Sequence, residues 1–293
     1  MPAPLAHHTV PVDGGDLLVG VWPAADANAP TVIAVHGGTS SHRIWYAVAR
    51  SLAGRVRLIA PDYRGANGSE SVGPPYGLLA HAEDVERIAD HFAIEWPILA
   101  GWSLGGFIAA NAAERLGTRA KGTVLVDGGV PLPLPESFDP AAVQDALIEP
   151  AMRRYRMRFS SRDEHRAVWR NHPALAEVPF GPELVAAIDD ELEEGEGGLR
   201  FRVNLESLRY DVLDTLRART RTAVTRLASP ATFVWAERGL EDEPEGYYPL
   251  AMAQAFAQAH ALRLAEGHGL NHYALMVADR GAALVAAEID RFC

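Results

Sequence analysis

The chain has little of several things, and each scarcity narrows what it can be. Its 293 residues include one cysteine, Cys293, so no disulfide within the chain is possible and a reducing compartment is expected. No apolar run approaches the ~20 residues needed to cross a bilayer. The first residues, Met1-Pro2-Ala3-Pro4-Leu5-Ala6-His7-His8, have neither the basic start nor the apolar core of a secretion signal. A cytoplasmic protein is therefore expected. Basic residues are outnumbered, 27 against 38 acidic, for a net charge of −11. That balance argues against nucleic acid or an anionic membrane surface as partner. The sequence has no H-E-x-x-H, no Cys/His cluster, no G-x-G-x-x-G and no phosphate loop, so neither a metal nor a cofactor is expected.

What is present is ordinary globular composition, 48% hydrophobic and 22% charged, without internal repeats. Short apolar runs recur, each followed by turn residues and then a helical pattern. Thr31–Val35 leads into His36-Gly37-Gly38, Val56–Ala60 into Pro61-Asp62, Pro97–Ala100 into Gly101-Trp102-Ser103, and Gly122–Val126 into Asp127-Gly128-Gly129. Thr232–Trp235 and Ala261–Leu264 complete the set. Runs of this length are strands covered on both faces. Helical patterns lie between them at Ile44–Leu52, Leu79–Phe92, Gly105–Leu116, Tyr248–Gln258 and Gly281–Phe292. Val10–Val12 and Leu17–Val21 read as a hairpin at one edge. The expected fold is α/β, with a mostly parallel eight-stranded sheet flanked by helices.

The rhythm breaks between Val130 and about Ser229. Pro131, Pro133 and Pro135 open this stretch, and charged helical patterns such as Met152–Phe159 follow. The expected organisation is a core of residues 1–130 and 230–293, with residues 131–229 forming a helical cap over the carboxyl edge of the sheet. Ligands bind at that edge in open α/β folds. The arginines of the stretch (153, 154, 156, 158, 200, 202 and 209) alternate with acids and read as a solvated, self-paired surface.

Gly101-Trp102-Ser103-Leu104-Gly105 carries the strongest chemical signal. G-x-S-x-G is a weak pattern alone, but here it follows an apolar strand and opens an alanine-rich helix, the context that exposes a strained serine. A serine nucleophile needs a base, an orienting acid and oxyanion donors. His36-Gly37-Gly38, at the end of an earlier strand, places the Gly38 amide where it can join that of Leu104 as an oxyanion hole.

These residues resemble the α/β-hydrolase family, particularly its capped branch. Three motifs carry the resemblance: His36-Gly37-Gly38 with Trp45 downstream, Asp62-Tyr63-Arg64-Gly65-Ala66-Asn67-Gly68-Ser69, and the serine elbow. The second usually has glycine where this chain has Asn67, a residue that tolerates positive φ, and it is read as structural. The resemblance implies a histidine base after the last strand. Gly267-His268-Gly269-Leu270-Asn271-His272-Tyr273 offers two, and the N-H-Y pattern favours His272 over His268. The acid departs from the common form, because Trp235-Ala236-Glu237-Arg238-Gly239 has glycine at the usual aspartate position. A branch that includes haloalkane dehalogenases and zearalenone-type lactonases carries the acid one strand earlier, where this chain has Asp127. Glu237, Glu241 and Asp242 remain the rivals.

The implied activity is hydrolysis of a carboxylic ester, lactone or thioester through an acyl-enzyme. Ser103 is the nucleophile, His272 the base and Asp127 the orienting acid. Gly37, Trp102 and Tyr247 are the expected substrate contacts. The expected partner is a small apolar ester or lactone, and the expected state a monomer or homodimer. A cofactor-free C–C bond hydrolase or lyase, and a non-catalytic ligand receptor, are the alternatives.

Overall fold

Alternating apolar side chains within short runs decide the architecture of the chain. The computed structural model describes residues 5–38, 40–133 and 152–293. Residues 134–151 of the expected cap, Pro135 among them, and the first four residues lie outside that description. The first half runs β1 (Ala6–Val12), β2 (Gly15–Trp22), β3 (Thr31–Val35), α1 (Tyr46–Leu52), β4 (Arg57–Pro61), α2 (Leu78–His91), β5 (Ile98–Trp102), α3 (Leu104–Leu116) and β6 (Gly122–Val126). The insertion that follows contributes β7 (Arg158–Phe159), α4 (Arg162–Arg170), α5 (Pro182–Asp190), β8 (Leu192–Gly195), β9 (Gly198–Phe201) and α6 (Leu205–Asp214). The chain then closes with β10 (Ala231–Arg238), α7 (Leu250–Ala259), β11 (Arg263–Asn271) and α8 (Asp279–Asp290).

The sheet has eight strands in the order β1-β2-β4-β3-β5-β6-β10-β11. The first hairpin is antiparallel and sits at one edge, β2 joins β4 antiparallel, and the remaining pairs are parallel. Every residue of β3, β5 and β6 is buried, as a strand covered on both faces requires. Val32, Ala34, Ile98, Ala100 and Val124 pack with α1 and α8 on one face. Ile33, Val35, Leu99 and Leu125 pack with α2 and α3 on the other. The side-chain period of two therefore divides each strand between two cores.

The insertion differs from the expected all-helical cap. The helical pattern over Met152–Phe159 is realised only at residues 152–155, and Arg158 and Phe159 form β7. A three-stranded antiparallel sheet, in the order β7-β9-β8, stands between helices. The acidic, glycine-rich stretch Glu191–Gly198 is its hairpin, turning through Gly197 and Gly198 at φ +80° and +119°. Phe159, Leu192, Leu199 and Phe201 pack with Tyr155 and Leu208 into a separate small core, and that burial selects strand over helix here.

Side chains of α6 tie the insertion to the sheet layer. Asp211 Oδ1 accepts from the Gly77 amide at 3.0 Å, and Asp214 Oδ2 accepts from the Leu78 amide at 2.9 Å. His81 Nε2 lies 2.7 Å from the same Asp211 oxygen. The orphan amides at the start of α2 are thus capped by carboxylates from a distant helix, which also suits the positive end of its dipole. Among the described residues no helix is long and apolar enough to cross a membrane.

Candidate active site

The turn from β5 into α3 holds Ser103 at φ +56°, ψ −123°, a region that costs an L-residue about 1–3 kcal/mol. Surrounding backbone enforces it. The Ser103 amide donates to Val126 O at 2.9 Å, and Gly106 N donates to Ser103 O at 2.9 Å. Glycine is required on both sides: a Cβ on Gly101 would lie 2.0 Å from Gly105 O, and one on Gly128 would lie 2.0 Å from Ser103 O. The helix begins at Leu104, so the amides of Leu104 and Gly105 lack intrahelical acceptors.

Asp127 follows β6, the neighbour of β5, and is itself at φ +44°. Its amide donates to Val234 O at 2.8 Å, and its Oδ1 accepts from Ala236 N at 3.4 Å, so β10 orients the carboxylate. The other oxygen, Oδ2, lies 2.6 Å from His272 Nδ1. His272 follows β11 and is buried. Trp102 Nε1 donates to its carbonyl at 3.2 Å, and the Tyr247 ring meets the imidazole edge-on at 5.3 Å. With Nδ1 committed to Asp127, Nε2 is the nitrogen left for proton transfer. Ser103, Asp127 and His272 each follow the carboxyl end of a strand in one sheet.

The loop after β3 presses against this elbow. A Cβ on Gly37 would stand 2.9 Å from the Trp102 ring and 3.2 Å from Ser103 Cβ, and one on Gly38 would stand 3.4 Å from Leu104 Cδ2. The two residues expected to donate to an oxyanion, Gly38 and Leu104, are therefore neighbours. His36 is fully buried, with Nδ1 2.7 Å from Gly37 O, and burial lowers its pKa to about 4, which leaves it neutral at pH 7. The motif from Asp62 to Ser69 is occupied with structure. Asp62 accepts from His42 N and Gly68 N at 2.7 and 3.0 Å, Arg64 forms a two-pronged pair with Asp84, and Asn67 takes the positive φ expected of it at +44°.

The rival site residues are engaged elsewhere. His268 is exposed, with Nε2 2.7 Å from Glu266 Oε2. Glu237 accepts from the Gly269 amide, Glu241 sits 3.4 Å from His172, and Asp242 accepts from Asn271 Nδ2 at 2.9 Å and Arg238 at 2.8 Å. His42, Asp62 and Asp190 bring ligand-type atoms within 4.8 Å of one another. His42 Nδ1 is already 2.9 Å from Asp62, and Asp190 is 3.6 Å from both Arg43 and Arg202.

Trp102 also lines a mostly apolar cavity beneath the insertion, with Ile44, Trp169, Leu175, Ile188 and Tyr273 among its walls. Among its described walls Glu191 is the one acid. Burial pushes its carboxyl up to about 8, and it accepts from Trp169 Nε1 at 3.3 Å. Nothing in the local sequence signalled this acid, which reads as part of a solvated run.

Residues 30–170 match the family described as the alpha/beta hydrolase fold. The chain belongs to that fold. The structure of E-2-(acetamidomethylene)succinate hydrolase, 20% identical in sequence, superposes with a TM-score of 0.76 over 98% of this chain and 100% of its own. A thioesterase domain from the curacin biosynthetic pathway, 18% identical, superposes with a TM-score of 0.72 over 98% and 99%. Both likenesses speak to the fold. Pimeloyl-[acyl-carrier protein] methyl ester esterase of Pseudoalteromonas atlantica is 29% identical over 100 residues, 34% of this chain and 37% of that protein. The matched segments span only 30% to 37% of such curated relatives. Esterases and other hydrolases are thus among the proteins this chain resembles.

Proposed function

We propose that the protein is a serine hydrolase that cleaves a carboxylic ester, lactone or thioester through an acyl-enzyme. The observation that carries this reading is the pairing of a strained elbow serine with a buried histidine–aspartate couple, 2.6 Å apart, at one edge of the sheet. Ser103 Oγ attacks the carbonyl while His272 Nε2 takes its proton and returns it to the leaving group. Asp127 fixes the imidazole tautomer and stabilises the imidazolium. The amides of Gly38 and Leu104 receive the charge that develops on the carbonyl oxygen, a contribution of about 10²–10³ in rate per donor. Water then releases the acyl group. Trp102 and Tyr247 border the reacting centre, and the absence of a side chain at Gly37 keeps it open. In this reading residues 131–229 act as a cap on a core of residues 1–130 and 230–293.

Esterase-type relatives and the placement of the acid after β6 support the ester and lactone readings. The test is intact mass after treatment with a fluorophosphonate, wild type beside Ser103→Ala. One adduct on the wild type and none on the variant, with loss of ester turnover, is expected. A folded wild type that forms no adduct and turns over no ester refutes the proposal and leaves a ligand receptor.

A further inference from the structure

Gly37 and Gly38 have no side chains, so the peptide between them is restrained little by sterics. The proposed oxyanion hole depends on that peptide, because its N–H is the Gly38 amide. The bond is trans, so its C=O and N–H point in opposite directions, and holding one aims the other. The structure holds the C=O. Gly37 O accepts from His36 Nδ1 at 2.7 Å, from the Tyr63 hydroxyl at 3.3 Å and from Ser40 N at 3.3 Å. The Gly38 end of the same peptide is the one beside Leu104.

Three donors on one carbonyl are more than its two lone pairs require, and the Ser40 amide alone would leave it paired. The two side-chain donors are themselves fixed in place. Both residues are buried, the Tyr63 ring stacks on that of His36 at 4.3 Å and 20° from parallel, and its centre lies 4.9 Å from that of His81. His81 is held in turn by Asp211 of α6. A carbonyl can only accept, so His36 Nδ1 and the Tyr63 oxygen each carry the hydrogen that they share with it. Burial pushes the tyrosine hydroxyl well above its ordinary range, and it keeps that proton. Turning the peptide over would set its N–H against the His36 N–H, donor against donor.

We infer that Tyr63, together with His36, is a positioning residue of the proposed hydrolase: by gripping Gly37 O it keeps the Gly38 amide aimed at the carbonyl oxygen of the substrate. The inference rests on the hydrolase reading above, and its test separates the two. The charge on that oxygen is largest in the transition state, so the loss should fall on kcat and not on KM. Tyr63→Phe keeps the stacked ring and removes one donor. Gly37 O retains His36 and Ser40, so no buried polar group is orphaned and the variant should melt close to the wild type. A direct oxyanion donor is worth about 10²–10³ in rate, and Tyr63 is one of several groups that hold this one, so kcat for 4-nitrophenyl butyrate should fall by about tenfold with KM within about twofold. The Ki of phenylboronic acid, which imitates the tetrahedral intermediate on Ser103, should rise by a similar factor. Unchanged kcat and boronate binding in the folded variant overturn the inference, while ester turnover by the wild type keeps the hydrolase. A loss confined to KM, or to the melting temperature, makes Tyr63 a packing residue and overturns it equally. A wild type that hydrolyses no ester and takes up no fluorophosphonate removes the hydrolase and the positioning role with it.

Discussion

Glu191→Gln should change how stability depends on pH, and the direction is fixed by burial. The carboxyl lies under Trp169, with His165 3.4 Å away, and its pKa stands near 8 against an ordinary value of 4.5. The folded state therefore holds this proton more tightly than the unfolded chain. Its contribution is complete below pH 4.5, declines as pH rises, and is lost once pH passes the folded value near 8. A gap of roughly three and a half units at about 1.36 kcal/mol each makes the total on the order of 5 kcal/mol. Glutamine keeps the shape and the acceptor for Trp169 Nε1 and cannot ionise. Urea unfolding of both proteins at pH 5 and pH 8.5 should therefore show the variant gaining several kcal/mol on the wild type as pH rises. His165, lowered by burial to about 4, stays neutral in the folded state over this pH range, and its titration in the unfolded chain is common to both proteins. Parallel stability curves would refute the placement of a neutral carboxyl in this cavity.

Two further outcomes bear on the proposed triad. Asp127→Asn should lose about 10³–10⁴ in kcat for an activated ester, because the amide favours the wrong imidazole tautomer, whereas Glu237→Gln should stay within a few fold. The reverse order in steady-state assays would move the acid to the end of β10. His272→Ala should abolish turnover and His268→Ala should leave most of it, and a silent His272→Ala would displace the proposed base.

The central strands were legible because four or five mostly apolar residues in a row, followed by turn residues such as glycine or aspartate, admit few other structures. The serine elbow was legible for a related reason: backbone closeness that only glycine permits leaves glycines in the sequence. The choice between His268 and His272 was harder, because it depends on where β11 ends. The expected run Ala261–Leu264 continues in the structure to Asn271, past an irregularity in its pairing with β10 between Ala236 and Arg238. That continuation leaves His268 on the exposed part of the strand and His272 just beyond it. No local pattern encodes the irregularity. The hairpin at Leu192–Phe201 escaped notice because its strands are four residues long, the first of them acidic, and its apolar partner Phe159 lies far along the chain.

The caps that Asp211 and Asp214 place on α2 also bear on the order in which the protein can be made. The hydrogen bonds from Gly77 and Leu78 reach across 134 and 136 residues of sequence. As the chain leaves the ribosome, the start of α2 emerges with its amides open to water, and they stay so until α6 follows. The start of α2 therefore receives its two carboxylate caps only from residues made more than a hundred positions later.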